Sequence, residues 1–272
     1  MKLIHTFILP FALLSLIRCN YKSDHPQADI LKDQPATGMN EVSIRRFTDS
    51  LNRSILTYNK QFSLIYMLGD HTLYVERYAA TPKNKVYYER TTSGNVSNVL
   101  KKYYFKNDSL ILVEVNSRQN LENSTVFKDS RIYFRNNTIF KKEERSAASL
   151  KAIQAAAYVI AENTGEPVNE DNYLENVTLL DDAIQQRNKF DLVFDNITTY
   201  PDAQYLILKS KAQNGYTASI RIESRNNFID SLLKNPATYK DEKLKFKWTV
   251  SNNEAVYVPE GASITSASGL NK

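Results

Sequence analysis

The strongest constraint on the fold is a seven-residue segment that occurs twice. Residues 104–110, YFKNDSL, and residues 133–139, YFRNNTI, match class for class at every position. Asparagine and aspartate tolerate the left-handed backbone that a tight hairpin turn requires, and the flanking aromatic residues supply packing across a strand pair. The same β-hairpin is therefore predicted twice. Two copies are too few for a solenoid, so they favour an antiparallel meander.

The segments around these turns predict a sheet with a helix packed on it. Short runs rich in tyrosine, valine and isoleucine alternate with clusters of lysine, asparagine and aspartate, a pattern typical of strands joined by turns. Upstream, apolar residues recur at spacings of three and four, which places them on one stripe of a helix. These residues are Ile44, Phe47, Leu51, Ile55, Tyr58 and Phe62. The predicted strands are 73–78, 85–91, 99–105, 110–115, 130–134 and 138–142.

Two further helices are predicted downstream of the meander. The alanine-rich stretch Ser146–Asn163 has apolar residues on one stripe and is followed by the helix-stopping residues Gly165 and Pro167. A shorter helix begins near Asn169, with acidic residues in its first turn, where they suit the helix dipole. The segment Glu162–Gln186 contains seven acidic residues and no basic one, but it lacks the compact alternation with glycine of a calcium loop. It is therefore interpreted as a solvated connector.

Residues 189–259 predict three strands, a helix and two more strands. The helix is Asn227–Lys234, which Pro236 ends. This order of elements resembles that of the OB-fold, a small five-stranded barrel, although no sequence motif accompanies it and other small barrels share the order. The predicted strands are 190–194, 205–208, 216–222, 244–250 and 255–258.

The N-terminal region has the layout of a secretory signal. A lysine at position 2 precedes an apolar run, Leu3–Ile17, which is shorter than the roughly 20 residues of a membrane-spanning helix. The end of the run resembles the lipobox of bacterial lipoproteins, with Leu16 three positions before Cys19. The resemblance implies that Cys19 is acylated, becomes the new N-terminus and anchors the protein to the outer membrane. Arg18 departs from the pattern, which has a small residue there, and an ordinary signal peptide or an uncleaved anchor is the alternative.

The predicted fold class is α+β: an N-terminal helix packed on an antiparallel β-meander with a following helix, then a small OB-like β-barrel. The stretch after Cys19 has few apolar side chains and cannot bury enough surface to offset its ordering entropy, which predicts a flexible tether. The predicted segments are a signal peptide at 1–18, a lipidated N-terminus and tether at 19–40, a helix-and-meander domain at 41–165, an acidic helical connector at 166–188, an OB-like barrel at 189–259 and a disordered tail at 260–272.

The net charge and the cysteine content bear on which partners and cross-links the chain can have. The formal net charge of +5 falls to +3 without Lys2 and Arg18, because residues 1–18 contain no acidic side chain. This excess is too small to indicate nucleic-acid binding. Cys19 is the only cysteine, so the mature chain would form no internal disulfide and would be stabilised by its core. None of the seven glycines lies in a phosphate-binding cluster, and no cofactor is predicted.

Three Asp-Ser-Leu triplets resemble the O-glycosylation acceptor of exported proteins of Bacteroidota. The acceptors would be Ser50, Ser109 and Ser231. A triplet this short also occurs by chance, so both interpretations stay open.

Lys243, Lys245 and Lys247 alternate with apolar residues and fall on one face of the fourth predicted barrel strand. They are either the polar outer face of an ordinary strand, where lysine protects an edge from pairing, or a surface for an anionic ligand such as a glycan or lipopolysaccharide.

The sequence contains few candidate catalytic residues. The sequence has no histidine cluster with metal-ligand spacing and no serine in a Gly-x-Ser-x-Gly context, while a carboxylate pair from distant strands would leave no spacing signature. Neither a metal site nor a catalytic residue is predicted. Three functions follow: a lipid-anchored interaction or structural protein of non-catalytic type with an envelope protein or glycan as partner, a binding protein for an anionic ligand, and a hydrolase of a cell-envelope polymer.

Overall fold

The structure is a computed structural model and describes residues 38–161 and 171–260, without the side chains of residues 171 and 172. Its fold is α+β, with a large, mostly antiparallel open sheet to which the described residues contribute 14 strands, and this confirms the predicted class. In the described ranges, no helix is long and apolar enough to cross a membrane. Outside them lie the predicted signal peptide, Cys19, most of the tether 19–40, residues 162–165 of the helix-and-meander domain, residues 166–170 of the connector and residues 261–272 of the tail.

The helices and strands are numbered in chain order. The helices are α1 (Glu41–Arg53), α2 (Leu150–Ala155), α3 (Asp171–Gln185), α4 (Asn227–Lys234) and α5 (Pro236–Tyr239). The strands are β1 (Asn59–Phe62), β2 (Tyr66–Leu68), β3 (His71–Ala79), β4 (Lys85–Ser93), β5 (Ser97–Lys106), β6 (Ser109–Leu121), β7 (Ser124–Arg135), β8 (Thr138–Ala147), β9 (Val159–Ile160), β10 (Leu192–Thr199), β11 (Gln204–Ser210), β12 (Thr217–Ile222), β13 (Lys247–Ser251) and β14 (Glu254–Val258).

Strands β3 to β8 form the meander, in which each strand pairs antiparallel with the next. Both repeated turns have left-handed backbone at their two central residues, with φ of 51° and 61° at Asn107 and Asp108, and 52° and 61° at Asn136 and Asn137. The repeated hairpin is therefore confirmed. The β13–β14 hairpin turns in the same way at Asn252 and Asn253, although the sequence repeat does not extend to it.

Helix α1 packs on one face of the meander. Asn40 caps it by accepting a hydrogen bond from the Ser43 backbone N–H at 2.9 Å. Ile44 and Leu51 are buried against the strands, in a cluster that includes Tyr104 and Tyr133. The predicted helical stripe is wrong beyond Arg53, where the helix ends. Ile55 and Tyr58 reach the same cluster from a 3₁₀ turn and the residue after it, whereas Phe62 lies on β1 and joins the core that contains α3.

Beside the cluster under α1, the same face carries a row of cross-strand neighbours whose charges alternate from β5 to β8. Arg131 on β7 lies between Glu114 on β6 and Glu143 on β8, with nitrogen–oxygen distances of 3.5 and 3.4 Å. Opposite charges on facing residues stabilise the register of neighbouring strands. From β3 to β8 the row contains Glu76, Tyr88, Lys102, Glu114, Arg131 and Glu143.

Helix α2 is much shorter than predicted. It begins after Ser149, whose hydroxyl accepts from the Ala152 backbone N–H at 3.2 Å, and the backbone is extended again at Ala156. The ring of Tyr158 then packs against Arg131 and Arg145, 4.0 and 4.5 Å from their guanidinium carbons. The next two residues pair with β8 as β9. Cation–π contacts and strand pairing therefore replace the helix that the alanine-rich composition predicts.

The last five strands combine local and crossover pairing. Strands β10, β11 and β12 are antiparallel neighbours, β14 pairs parallel with β12, and β13 pairs antiparallel with β14. The predicted helix Asn227–Lys234 is confirmed as α4, which ends before Pro236, and Pro236 begins the separate short helix α5. One edge of β12 is divided, because Thr217 and Ala218 pair with β2 while Ile220 and Arg221 pair with β14. This strand therefore joins the meander to the last five strands.

Helix α3, which confirms the third predicted helix, lies on the meander face opposite α1. Its buried residues belong to the core that the meander shares with the last five strands. At the junction, Tyr66 of β2 is fully buried, and its hydroxyl donates to the Ala183 carbonyl at 2.8 Å. The ring centroid of Tyr66 lies 4.7 Å from that of Phe190. The domain boundaries predicted at residues 165 and 189 stay predictions.

Candidate functional site

The structure separates the three predicted lysines. Lys243 and Lys245 lie in a segment without regular secondary structure before β13, where a strand was predicted, and Lys247 is the first residue of β13. All three side chains are exposed. Lys243 and Lys245 line a cavity, and Lys247 does not. The alternation in the sequence therefore groups three residues of which the fold uses two at one place.

This lysine cavity has a volume of about 910 Å³, and it is formed by the C-terminal end of α3, the segment 243–248 and strands β1 and β3. Its volume lies in the range of about 300–1,000 Å³ that is usual for small-molecule sites. Its walls are part apolar and part polar. The apolar residues are Ile184, Leu244, Phe246 and Trp248, and the polar residues are Gln61, Arg77, Gln185, Gln186, Lys243 and Lys245.

The apolar wall is fixed by packing around Trp248. This side chain is only 3% exposed, and its indole N–H donates to the Ser63 carbonyl at 3.3 Å. The Trp248 ring meets Phe62 edge to face at a centroid distance of 6.2 Å and lies 5.8 Å from Phe246. Buried indole N–H groups normally have such a partner. The contacts with Phe62, Ser63 and Phe246 therefore hold the Trp248 side chain, and with it the apolar wall, in place.

The basic residues of the cavity differ in how far their charge is neutralised. Lys243 lies 2.5 Å from Asp191, and it also donates to the Gln186 carbonyl at the C-terminal end of α3 at 3.3 Å. Arg77 pairs with Asp181 at 2.8 Å. Lys245 has neither an ion pair nor a hydrogen bond with any residue in 38–161 or 171–260. The C-terminal end of α3 repels anions, and the charges of Lys243 and Arg77 are already neutralised. Among the basic residues of this cavity, Lys245 is therefore the one that favours an anionic ligand.

Other candidate residues stay apart from the cavity. His71 is exposed at the start of β3, and no three His, Cys, Asp or Glu side chains of the described ranges are placed to hold a metal ion. Of the serines in the Asp-Ser-Leu triplets, Ser50 is exposed on α1, whereas Ser109 and Ser231 are half-buried. The Ser231 hydroxyl donates to the Asn227 carbonyl at 2.7 Å.

The sequence carried no signal for the remaining cavity residues. Gln61, Arg77 and Ile184 come from β1, β3 and α3, and they meet the segment 243–248 only through the tertiary fold. Comparison with known proteins found no matching family model, and neither a curated protein nor a solved structure matches the chain.

Proposed function

We propose that the chain is a lipid-anchored, exported protein of non-catalytic type that binds an anionic ligand with an apolar part in the lysine cavity. One observation carries the proposal: Lys245, which forms no ion pair within residues 38–161 and 171–260, lies beside the fixed apolar wall of Leu244, Phe246 and Trp248. An acidic headgroup would pair with Lys245 while an apolar chain or ring packs on the wall. Lipopolysaccharide, or an acidic glycan that carries acyl groups, has this chemistry.

The lipid anchor belongs to the proposal and has its own test. The lipobox-like end of the apolar run predicts an acylated Cys19 as the mature N-terminus. Mass analysis should detect this modification, and Cys19→Ala should release the protein from the outer-membrane fraction. An unmodified thiol with unchanged fractionation would contradict the anchor and leave the cavity proposal standing.

An OB-like barrel in the last part of the chain is also proposed. Five strands lie side by side through the pairs β10–β11, β11–β12, β12–β14 and β13–β14. The backbone N–H of Phe194 on β10 donates to the Glu242 carbonyl at 2.9 Å, and the Asp241 N–H donates to the Phe194 carbonyl at 3.0 Å. These bonds bring the segment before β13 back to the first of the five strands, and they support a partly closed barrel.

The ligand proposal is tested with purified lipopolysaccharide as the probe and three matched lysine variants of the full chain. Lys245→Gln should weaken binding about 10- to 100-fold, because a hydrogen bond to a charged group contributes about 1.5–3 kcal/mol. Lys243→Gln should weaken binding less, since Asp191 already neutralises that lysine. Lys247→Gln is the control: it removes one lysine charge from the same alternating sequence segment, but Lys247 lies outside the cavity.

Isothermal titration calorimetry gives the three dissociation constants. Equal effects of Lys245→Gln and Lys247→Gln would indicate general surface charge and overturn the proposed site. Failure of the unsubstituted protein to bind lipopolysaccharide would overturn the ligand class.

A further inference from the structure

A second cavity, of about 520 Å³, lies between α3, strands β3 to β5 and Tyr216, the residue before β12. It shares no lining residue with the lysine cavity. Its walls carry five hydroxyl side chains, one carboxylate, two ammonium groups and two aromatic rings, and it is called the hydroxyl cavity here. These residues are Thr72, Thr91, Thr92, Ser93, Ser97, Glu89, Lys101, Lys189, Phe190 and Tyr216. The hydroxyl side chains and the carboxylate lie on β3, β4 and β5.

The hydroxyl wall is set by strand register. Thr91 and Ser93 are two residues apart on β4, so both side chains point to the face that Glu89 also occupies. Ser97 on β5 is the direct partner of Ser93. All three hydroxyl-bearing residues are half-buried, and none of the three hydroxyls has a hydrogen-bond partner within the described residues. Because unmade hydrogen bonds are costly, water or a ligand must satisfy them.

The carboxylate of Glu89 adds acceptor capacity without unbalanced charge. One oxygen accepts from the Tyr103 hydroxyl at 2.6 Å, and the other lies 3.4 Å from Lys101. Burial, strengthened by the nearby Glu89 charge, raises the pKa of Tyr103, so the phenol keeps its proton and remains a donor. An ionised carboxylate has about four acceptor positions, of which these contacts use two. The remaining positions are available to hydroxyl donors in the cavity.

Tyr216 supplies a fixed aromatic surface. Its ring is stacked on Phe190 at a centroid distance of 5.0 Å and an interplanar angle of 30°, and it meets Tyr66 edge to face at 5.9 Å. The Lys189 ammonium lies 5.7 Å from the Tyr216 centroid. Tyr216 is half-buried, so part of the side chain remains available to the cavity. The contacts with Phe190 and Tyr66 restrict its rotation.

We propose that the hydroxyl cavity binds an uncharged polyhydroxylated ligand, namely one or two sugar rings of a neutral oligosaccharide. Sugar hydroxyls both donate and accept, as the threonine and serine hydroxyls do, and they can donate to Glu89. The C–H face of a sugar ring packs on an aromatic side chain such as Tyr216. Glu89 and Lys101 already neutralise each other, and the Lys189 ammonium lies over the rings of Phe190 and Tyr216, so a neutral ligand disturbs neither arrangement. This site is independent of the lysine cavity, and its proposal does not rest on the function given above.

Calorimetric titration of the full chain with maltotriose, cellotriose and triacetylchitotriose tests the site. We expect at least one of the three to bind with a dissociation constant of millimolar order or tighter. Thr91→Val keeps the size of the side chain and removes one hydroxyl, and it should weaken that binding about tenfold. Ser97→Ala provides a second, smaller truncation with the same expected direction. Thr249→Val, on β13 and outside both cavities, is the matched control and should leave binding unchanged.

The same titration also defines the result against the proposal. Absence of heat with all three trisaccharides overturns it, and so does equal weakening by Thr91→Val and Thr249→Val. Because no anionic ligand is present, either outcome is separate from the fate of the lysine cavity.

Discussion

The meander and the last five strands build one sheet in different ways. Meander strands are 9 to 13 residues long, and each pairs with its neighbour in sequence. In the last five strands, lengths fall from 8 to 5 residues, and one parallel pair spans a helical crossover. Local turns set the order of the meander, whereas the later region depends on contacts between residues distant in sequence. Their common core means that the less local region is stabilised by the more local one.

The largest expected effect comes from breaking the junction at Tyr66. Tyr66→Ala should lower the free energy of unfolding by about 3–5 kcal/mol, because a fully buried ring is removed between the two regions. Tyr66→Phe, which loses only the hydrogen bond to Ala183, should cost about 1 kcal/mol. The single tryptophan, Trp248, reports on the last five strands by fluorescence in urea.

Far-ultraviolet circular dichroism, measured in parallel, reports on the whole sheet. The two transitions should coincide in the unsubstituted protein and separate in Tyr66→Ala. A loss in Tyr66→Ala no larger than that of Tyr200→Ala, at a tyrosine that is 56% exposed, would contradict the junction role.

A smaller effect tests whether the shared turn geometry acts equally in both regions. Asn137 in the meander and Asn253 in the last hairpin both have φ of 61°. A β-branched residue is strained there, so Asn137→Ile and Asn253→Ile should each cost about 1–2 kcal/mol in urea unfolding. The matched glycine substitutions should stay within about 0.5 kcal/mol of the unsubstituted protein, since glycine adopts this backbone freely. Isoleucine variants as stable as the glycine variants would contradict the turn assignment.

The smallest effect concerns acid sensitivity. Burial opposes ionisation of Glu143, but hydrogen bonds from Tyr133 and Lys141 outweigh it and hold the pKa of this carboxyl below its usual value. In the later region, the hydrogen bond from Lys240 opposes burial and lowers the pKa of Asp195, with a further contribution from Lys209. A lowered carboxyl pKa stabilises the folded state above the unfolded pKa of about 4, and this stability is lost as the pH falls through the folded value.

Glu143→Gln and Asp195→Asn should therefore each reduce the difference in unfolding free energy between pH 7 and pH 3, by up to about 1 kcal/mol. Urea titrations at the two pH values measure it. Glu122→Gln, at an exposed residue of the β6–β7 turn, is the control. A change in the control equal to that in Glu143→Gln would show that net charge, and not the ion-pair row, is the cause.

The same contrast explains what the sequence predicted. The meander strands and their turns follow from local chemistry, because alternation and Asn-Asn or Asn-Asp pairs act within a hairpin. The predicted alanine-rich helix was wrong at residues 146–149, where β8 ends, and at residues 156–161, because Tyr158 packs on two arginines of β7 and β8 that no local pattern reveals. The alternation of lysine with apolar residues groups Lys245 with Lys247 in the sequence. Only the tertiary fold, which places the end of α3 beside Lys245, shows that Lys245 lines the cavity and Lys247 does not. The hydroxyl cavity was missed for the same reason, since Thr91 and Tyr216 are far apart in sequence.

The divided edge of β12 has a consequence for folding. Met67 of β2 pairs with Thr217, which follows 150 residues later in the sequence. Until β12 is in place, the β2 edge of the sheet has no strand to cover it and can pair with a neighbouring chain. The protein should therefore be most vulnerable to aggregation before β12 joins the sheet, and purified chains truncated before residue 217 are the species in which to measure it.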